Sequence, residues 1–174
     1  MNVPRYGGMT NQRGFTFIEL IVVIVLIGLM FSFALPKMDN LLYMDNRDRV
    51  SRWVVLNVEN LKNLSLKKQT RHILHVDIPA NTLWISEDGM EEEALDQARK
   101  SGYTLPSDIR IMDIIYPFEG KEEDERGEIY FYTQGYCDNA IIHMENDDKE
   151  KMSFVIEPFL PPVGIRDGFV LFDE

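Results

Sequence analysis

An α+β chain, a long N-terminal α-helix packed on an antiparallel β-sheet head, is what three features of the 174-residue sequence predict. From Phe15 to Leu35 run 21 residues whose only charge is Glu19. From Val50 to Leu64 apolar residues recur at intervals of three and four, the period of a half-buried helix. After Arg71 the period drops to two, and short apolar runs are separated by Gly, Pro, Asn and Asp turns. The chain therefore divides into residues 1–14, an apolar helix over 15–36, an amphipathic helix over 37–71 that continues into the head, and a β-rich head over 72–174.

The first helix is long enough to cross a membrane. At about 1.5 Å per residue its apolar run reaches roughly 30 Å, the thickness of a bilayer's hydrocarbon core. A carboxylate near the end of such a helix costs about 2 to 3 kcal/mol, so Glu19 needs the interface or a partner cation. Arg5 and Arg13 precede the span with no acid among the first 14 residues, which holds that end in the cytoplasm and sends the rest outward. Pro36 removes a backbone donor and is expected to kink the helix where it leaves the lipid. An ordinary secretory signal, cut after Ser32-Phe33-Ala34, and a plain anchor are the alternatives. Glu19 opposes the first, and the second gives Gly14 and Glu19 no purpose.

In the second helix Val50, Trp53, Val54, Val58, Leu61 and Leu64 form an apolar stripe, with Arg52, Glu59, Lys62 and Lys67 largely between them. The stripe is expected to pack on the protein's own sheet. His72–Ile78 and Thr82–Ser86 read as a hairpin around Pro79-Ala80-Asn81, and 91–101 as a short charged helix or loop. Asp108–Tyr116 reads as a strand and Gly120–Gly127 as a solvated acidic turn. Glu128–Thr133 and Ala140–Glu145 flank a turn at Gln134-Gly135-Tyr136. Met152–Glu157 is a further strand, and the tail from Gly164 supplies an edge strand.

Charge is uneven. Residues 1–71 hold ten Lys/Arg and five Asp/Glu, whereas 72–174 hold eight and twenty-four. Nucleic-acid binding draws on clustered cations, so an acidic head excludes it as an expected partner. Cys137 is the single cysteine, so no intramolecular disulfide forms, and a small buried strand residue is expected there. A thiol nucleophile paired with His143 would need an orienting group and a cleft. His72 and His75 fall on opposite faces of a strand and do not converge on a metal. No H-E-x-x-H, G-x-S-x-G, P-loop or paired C-x-x-C occurs, and neither catalytic residues, a metal nor a cofactor is expected.

Gly14, Phe15, Thr16, Glu19 and the apolar run to Leu35, closed by Pro36, resemble the class III signal of type IV pilins and type II secretion pseudopilins. The resemblance implies a pilin-like fold. It implies that residues 1–14 are a leader, that a membrane peptidase cuts between Gly14 and Phe15 on the cytoplasmic face, and that the same enzyme methylates the Phe15 amine. Glu19 would then pair with the ammonium of a neighbouring subunit's new N-terminus, which fixes an axial stagger between chains. Ile129–Gly135, followed by Ile141-Ile142-His143-Met144, is similar to the head of the H-type minor pseudopilins, although Gln134 and Tyr136–Asn139 depart from that pattern at the turn.

The implied function is that of a non-catalytic minor pseudopilin, a structural subunit of a type II secretion pseudopilus acting in tip assembly and the initiation of protein export. A minor pilin of a type IV pilus is the alternative. Implied partners are the prepilin peptidase/methyltransferase, other minor and major pseudopilins, the inner-membrane secretion platform, the exported protein and membrane lipid. The implied location is a single pass through the bacterial inner membrane, with the leader cytoplasmic and the head periplasmic. Some pseudopilins bind calcium in a loop, and Glu119–Glu125 and Glu145–Glu150 offer carboxylates. Neither has EF-hand spacing, and solvated loop charge is the expectation.

Overall fold

The computed structural model describes residues 17–42, 46–117, 120–122, 126–160 and 163–172, with the side chains of 31–42 and 120–122 outside that set. The described residues form α1 (Phe17–Leu42), α2 (Asn46–Lys68), β1 (His72–Asp77), β2 (Thr82–Glu87), α3 (Glu92–Lys100), β3 (Tyr103–Thr104), β4 (Ile109–Tyr116), β5 (Gly120–Glu122), β6 (Arg126–Phe131), β7 (Ala140–Asn146), β8 (Lys151–Ile156) and β9 (Gly164–Asp167). The class is α+β. The chain divides into two compact units, Met1–Tyr43 and Met44–Glu174.

In the first unit, α1 carries Glu19 in its first turn, and position 36 lies within its bounds. Every residue from Phe17 to Met30 is exposed. Among the described residues no helix is long and apolar enough to cross a membrane. The span expected from Phe15 to Leu35 extends past the described side chains at both ends, and the Pro36 side chain lies outside them.

The head is built on two sheets where the sequence suggested one. One has the order β3-β2-β1-β6 and the other β5-β4-β7-β8-β9, and every recorded strand pair is antiparallel. β6 and β7, which flank the Gln134–Tyr136 turn, therefore belong to different sheets. A long apolar helix face needs both. α2 packs against β1, β6 and β8, and its Val50, Val54, Val58 and Leu61 join one core with Leu74, Val76, Ile129 and Phe131 of one sheet and Ile142, Met144, Phe154 and Ile156 of the other. Gly127 permits the close approach of the sheets: a Cβ there would lie 2.6 Å from the Ile114 side chain.

Two local expectations are corrected. The segment read as an acidic turn contains β5, because Gly120, Lys121 and Glu122 pair with Tyr116, Ile115 and Ile114. The last buried position of the α2 stripe is Ser65, while Leu64 is half-buried. Ser65 follows Leu61 by four residues, on the same face, and its Oγ lies 3.0 Å from His72 Nδ1.

Each sheet has an outer face with its own cover. On the four-stranded sheet Asp77 is 2% exposed; its Oδ2 accepts from Arg99 of α3 at 3.0 Å and from Arg126 at 2.8 Å. On the five-stranded sheet the cover is the segment after β9. Gly168 and Val170 are bonded there to Ser153 and His143.

Candidate functional site

The sequence places its chemistry in the N-terminal segment. Gly14 and Phe15, the expected cleavage and methylation positions, lie outside the described residues. Glu19 opens α1 amid Phe17, Ile18, Leu20 and Ile21, all exposed. A carboxylate suits a helix N-terminus, where the first backbone N–H groups lack intrahelical acceptors. An apolar helix exposed on every side is not a finished surface. It needs lipid or other helices around it.

The head contains one arrangement that sequence reading missed. In β4 the register with β7 shifts between Ile111 and Asp113, a bulge at Met112. Ile111 and Met144 are paired and both belong to the core, whereas Asp113 pairs with His143, which pairs in turn with Ser153. The bulge therefore turns Asp113 out of the core face that strict alternation after Ile109 and Ile111 would give it. Asp113, His143 and Ser153 form a row across three strands, each at most 1% exposed.

These residue types occur in hydrolase triads, but the bonding differs. His143 Nδ1 lies 2.7 Å from Asp113 Oδ1, and Nε2 lies 2.8 Å from the Val170 carbonyl. A carbonyl only accepts, so Nε2 carries a proton and offers no lone pair to a serine. Ser153 Oγ donates to the Gly168 carbonyl at 2.7 Å and accepts from Val170 N–H at 3.1 Å. The row grips backbone. It has no base poised to activate a nucleophile.

Cys137 is 1% exposed, bridges Phe131 and lies 3.5 Å from the Glu157 carbonyl. Burial pushes its thiol up to about 11, away from thiolate chemistry. His143 is committed to Asp113 and Val170, so the two do not form a nucleophile and base pair. His72 and His75 are both buried; His75 stacks on Trp84 at 3.6 Å and its Nε2 lies 2.8 Å from Ser86 Oγ. Burial holds its pKa below the ordinary 6.5, against the opposing pull of Glu128.

Most of the Glu119–Glu125 cluster lies outside the described residues. In the second cluster Asn146 and Glu150 bond one another across a turn, and Asp147 pairs with Arg110 at 3.2 Å. Among the described residues no group of His, Cys, Asp and Glu side chains is placed to hold a metal. A cavity of about 680 Å³ opens beside the row, lined by Ile141, Val155, Leu160, Val163 and the segment Val170–Phe172.

Residues 9–35 match the family model described as the prokaryotic N-terminal methylation motif. That match bears out the resemblance to type IV pilins and pseudopilins at this segment. The solved structure of the minor pseudopilin EpsH from the type 2 secretion system of Vibrio cholerae is similar over 71% of this chain and 96% of that one, at 8% sequence identity and a TM-score of 0.48. No curated protein matches the chain.

Proposed function

We propose, from the premise that residues 9–35 carry a prokaryotic N-terminal methylation motif, that this chain is a non-catalytic structural subunit of a membrane-assembled fibre, a minor pseudopilin of a type II secretion system. The motif is the observation that carries the reading, because it covers the small residue, the aromatic residue and the acid in one order. Residues 1–14 are the leader, Gly14–Phe15 the cleavage point and the Phe15 amine the methylated group.

The exposed apolar surface of α1 is the physical counterpart. Inserted in the inner membrane it meets lipid, and in a fibre it meets the same helix of its neighbours. In the fibre Glu19 of one subunit faces the methylated ammonium of another. Removing either charge strands its partner in a medium of low dielectric. Partners on this reading are the prepilin peptidase/methyltransferase, the other pseudopilins, the inner-membrane platform and the exported protein. The head is periplasmic.

Intact-mass measurement of the chain co-expressed with a prepilin peptidase tests this. The expected product begins at Phe15 and carries one added methyl group. A chain that keeps Met1, or that begins near residue 35, overturns the reading.

A further inference from the structure

We propose that a polar and aromatic pocket at the C-terminal end of α2 binds a neutral saccharide, with the paired Arg71 and Asp88 engaging adjacent hydroxyls and the Tyr132 and Tyr136 rings meeting the sugar's C–H face.

Three connections meet there. The link from α2 to β1 supplies Gln69 and Arg71, the turn after β2 supplies Asp88, and the loop after β6 supplies Tyr132, Gln134 and Tyr136. They line a cavity of about 450 Å³, within the size range of small-ligand sites. Hydrogen bonds hold the pieces in place. Asp88 N–H donates to the Arg71 carbonyl at 2.8 Å, and Gln69 Nε2 donates to the Leu66 carbonyl at 2.7 Å and to the Thr133 carbonyl at 3.3 Å. Gln69 directly follows α2 with φ +55°, a left-handed position where glycine is usual and a side chain is strained. The side chain kept there ties the helix end to the loop that carries the tyrosines.

The polar groups suit a diol. The Arg71 guanidinium lies 3.0 Å from Asp88 Oδ2 and 5.1 Å from the centre of the Tyr130 ring, while its Nε is buried with no acceptor among the described residues. An unmet buried donor costs stability, so the ion pair and the ring hold this pose against a penalty. Arg71 is half-buried and Asp88 exposed, so both remain within reach of a ligand. A guanidinium only donates and a carboxylate only accepts; a hydroxyl does both, so neighbouring hydroxyls accept from Arg71 and donate to Asp88 together. The exposed Gln134 adds an amide with both functions.

A second wall is aromatic. Tyr132 and Tyr136 stack at 4.6 Å, Tyr136 is backed by Phe159 at 5.8 Å, and the Tyr132 hydroxyl donates to Asp138 at 2.9 Å. The rings are thereby fixed, and both are half-buried, which leaves part of each open. The weakly positive C–H groups on one face of a pyranose suit the negative face of an aromatic ring. Charge decides against an anion. Arg71 already has a carboxylate partner, and residues 72–174 hold eight Lys/Arg against twenty-four Asp/Glu, so a phosphate or a free acid would enter a repelling field. A neutral polyol does not feel it. The pocket lies wholly within the head, so binding there holds whether or not the chain enters a fibre.

Saturation-transfer NMR on the full-length chain tests this, in a zwitterionic detergent that has no sugar headgroup. The probes are maltose, cellobiose, lactose and N,N′-diacetylchitobiose, which differ in the arrangement of their hydroxyls, with glucuronate as an anionic counterpart and inorganic phosphate as a competitor. At least one disaccharide should receive saturation on its C–H protons and bind with a millimolar Kd, more tightly than glucuronate, and phosphate should not displace it. Asp88→Ala, on an exposed turn, should raise that Kd about tenfold, and Tyr136→Leu by a similar factor, at an unchanged melting temperature. Should Tyr136→Leu fail to fold, Asp88→Ala decides the matter. Saturation of none of the four disaccharides, tighter binding of glucuronate, displacement by phosphate, or a Kd unmoved by Asp88→Ala overturns the proposal.

Discussion

The two units treat apolar surface in opposite ways. From Phe17 to Met30 the first leaves all of its described residues exposed, including Phe17 at 79% and Met30 at 74%. The head hides the same residue types so well that Val50, Val54, Leu74, Ile114 and Phe154 reach 0%. Residue type does not separate them; arrangement does. A stripe at helical period has a partner within the chain, whereas an unbroken apolar cylinder has to find one outside it. The head thus buries its apolar residues within itself, and the described part of the first helix does not.

The largest effect tests the first unit. Gly14→Leu should leave the chain uncut when a prepilin peptidase is present, seen as loss of the mobility shift on a gel, while the head keeps its unfolding transition. Normal processing of that variant would remove the basis for treating residues 1–14 as a leader. Glu19→Ala should be cut normally yet fail to enter the fibre, measured as its share of sheared fibre against membrane. Wild-type incorporation would show that the charge pairing is dispensable.

Stability sharpens the contrast. Leu61→Ala in α2 empties a site that is 1% exposed, and should lower head stability by about 2 to 5 kcal/mol in urea unfolding. Ile27→Ala in α1 removes as much apolar volume from a residue that is 47% exposed, and should leave the head's unfolding midpoint where it was. Equal losses at the two positions would erase the distinction between the units.

How far the sequence reveals this contrast depends on the range of the signal. The apolar run, the α2 stripe, the hairpin of β1 and β2, and the strands β4, β7 and β8 are local patterns of period, and the chain shows them directly. The strand partners are not local. β6 and β7 are neighbours in sequence and go to different sheets, and the inner faces of both, Ile129 and Phe131 of one and Ile142 and Met144 of the other, meet the α2 stripe in one core. Asp113 was legible as a strand residue but not as a partner of His143, thirty positions away. Strict alternation points it into the core, and one extra residue at Met112 turns it outward. A bulge leaves little trace in an apolar run such as Ile111-Met112-Asp113-Ile114-Ile115. Ser65 escaped notice for a related reason. A polar residue on a buried face is explained by its partner, His72, which lies in another element.

Ser65→Ala, a smaller change, should cost about 1 kcal/mol, the usual worth of a buried hydrogen bond. Ser65→Leu should cost more despite its greater apolarity, since the site is 0% exposed and sized for a hydroxyl against His72. A stabilised leucine variant would show that the stripe prefers the apolar pattern the sequence suggests.

The smallest effect is a slope with pH. Desolvation keeps His75 neutral in the folded head and outweighs the Glu128 carboxylate, so its folded pKa lies below the unfolded value near 6.5. A histidine with a depressed folded pKa contributes stability that is fully present above 6.5 and is lost as pH falls through the folded value. Protonation then favours the unfolded chain, where imidazolium is solvated. The head should weaken on acidification from pH 6.5, and His75→Gln should flatten the slope of melting temperature against pH in that window, because the substituted amide does not titrate. The carboxylates other than Glu128 keep their surroundings in both proteins, so the difference between the two curves reports His75 together with its Glu128 contact. A slope that steepens in the variant would mean that the Glu128 contact prevails over burial.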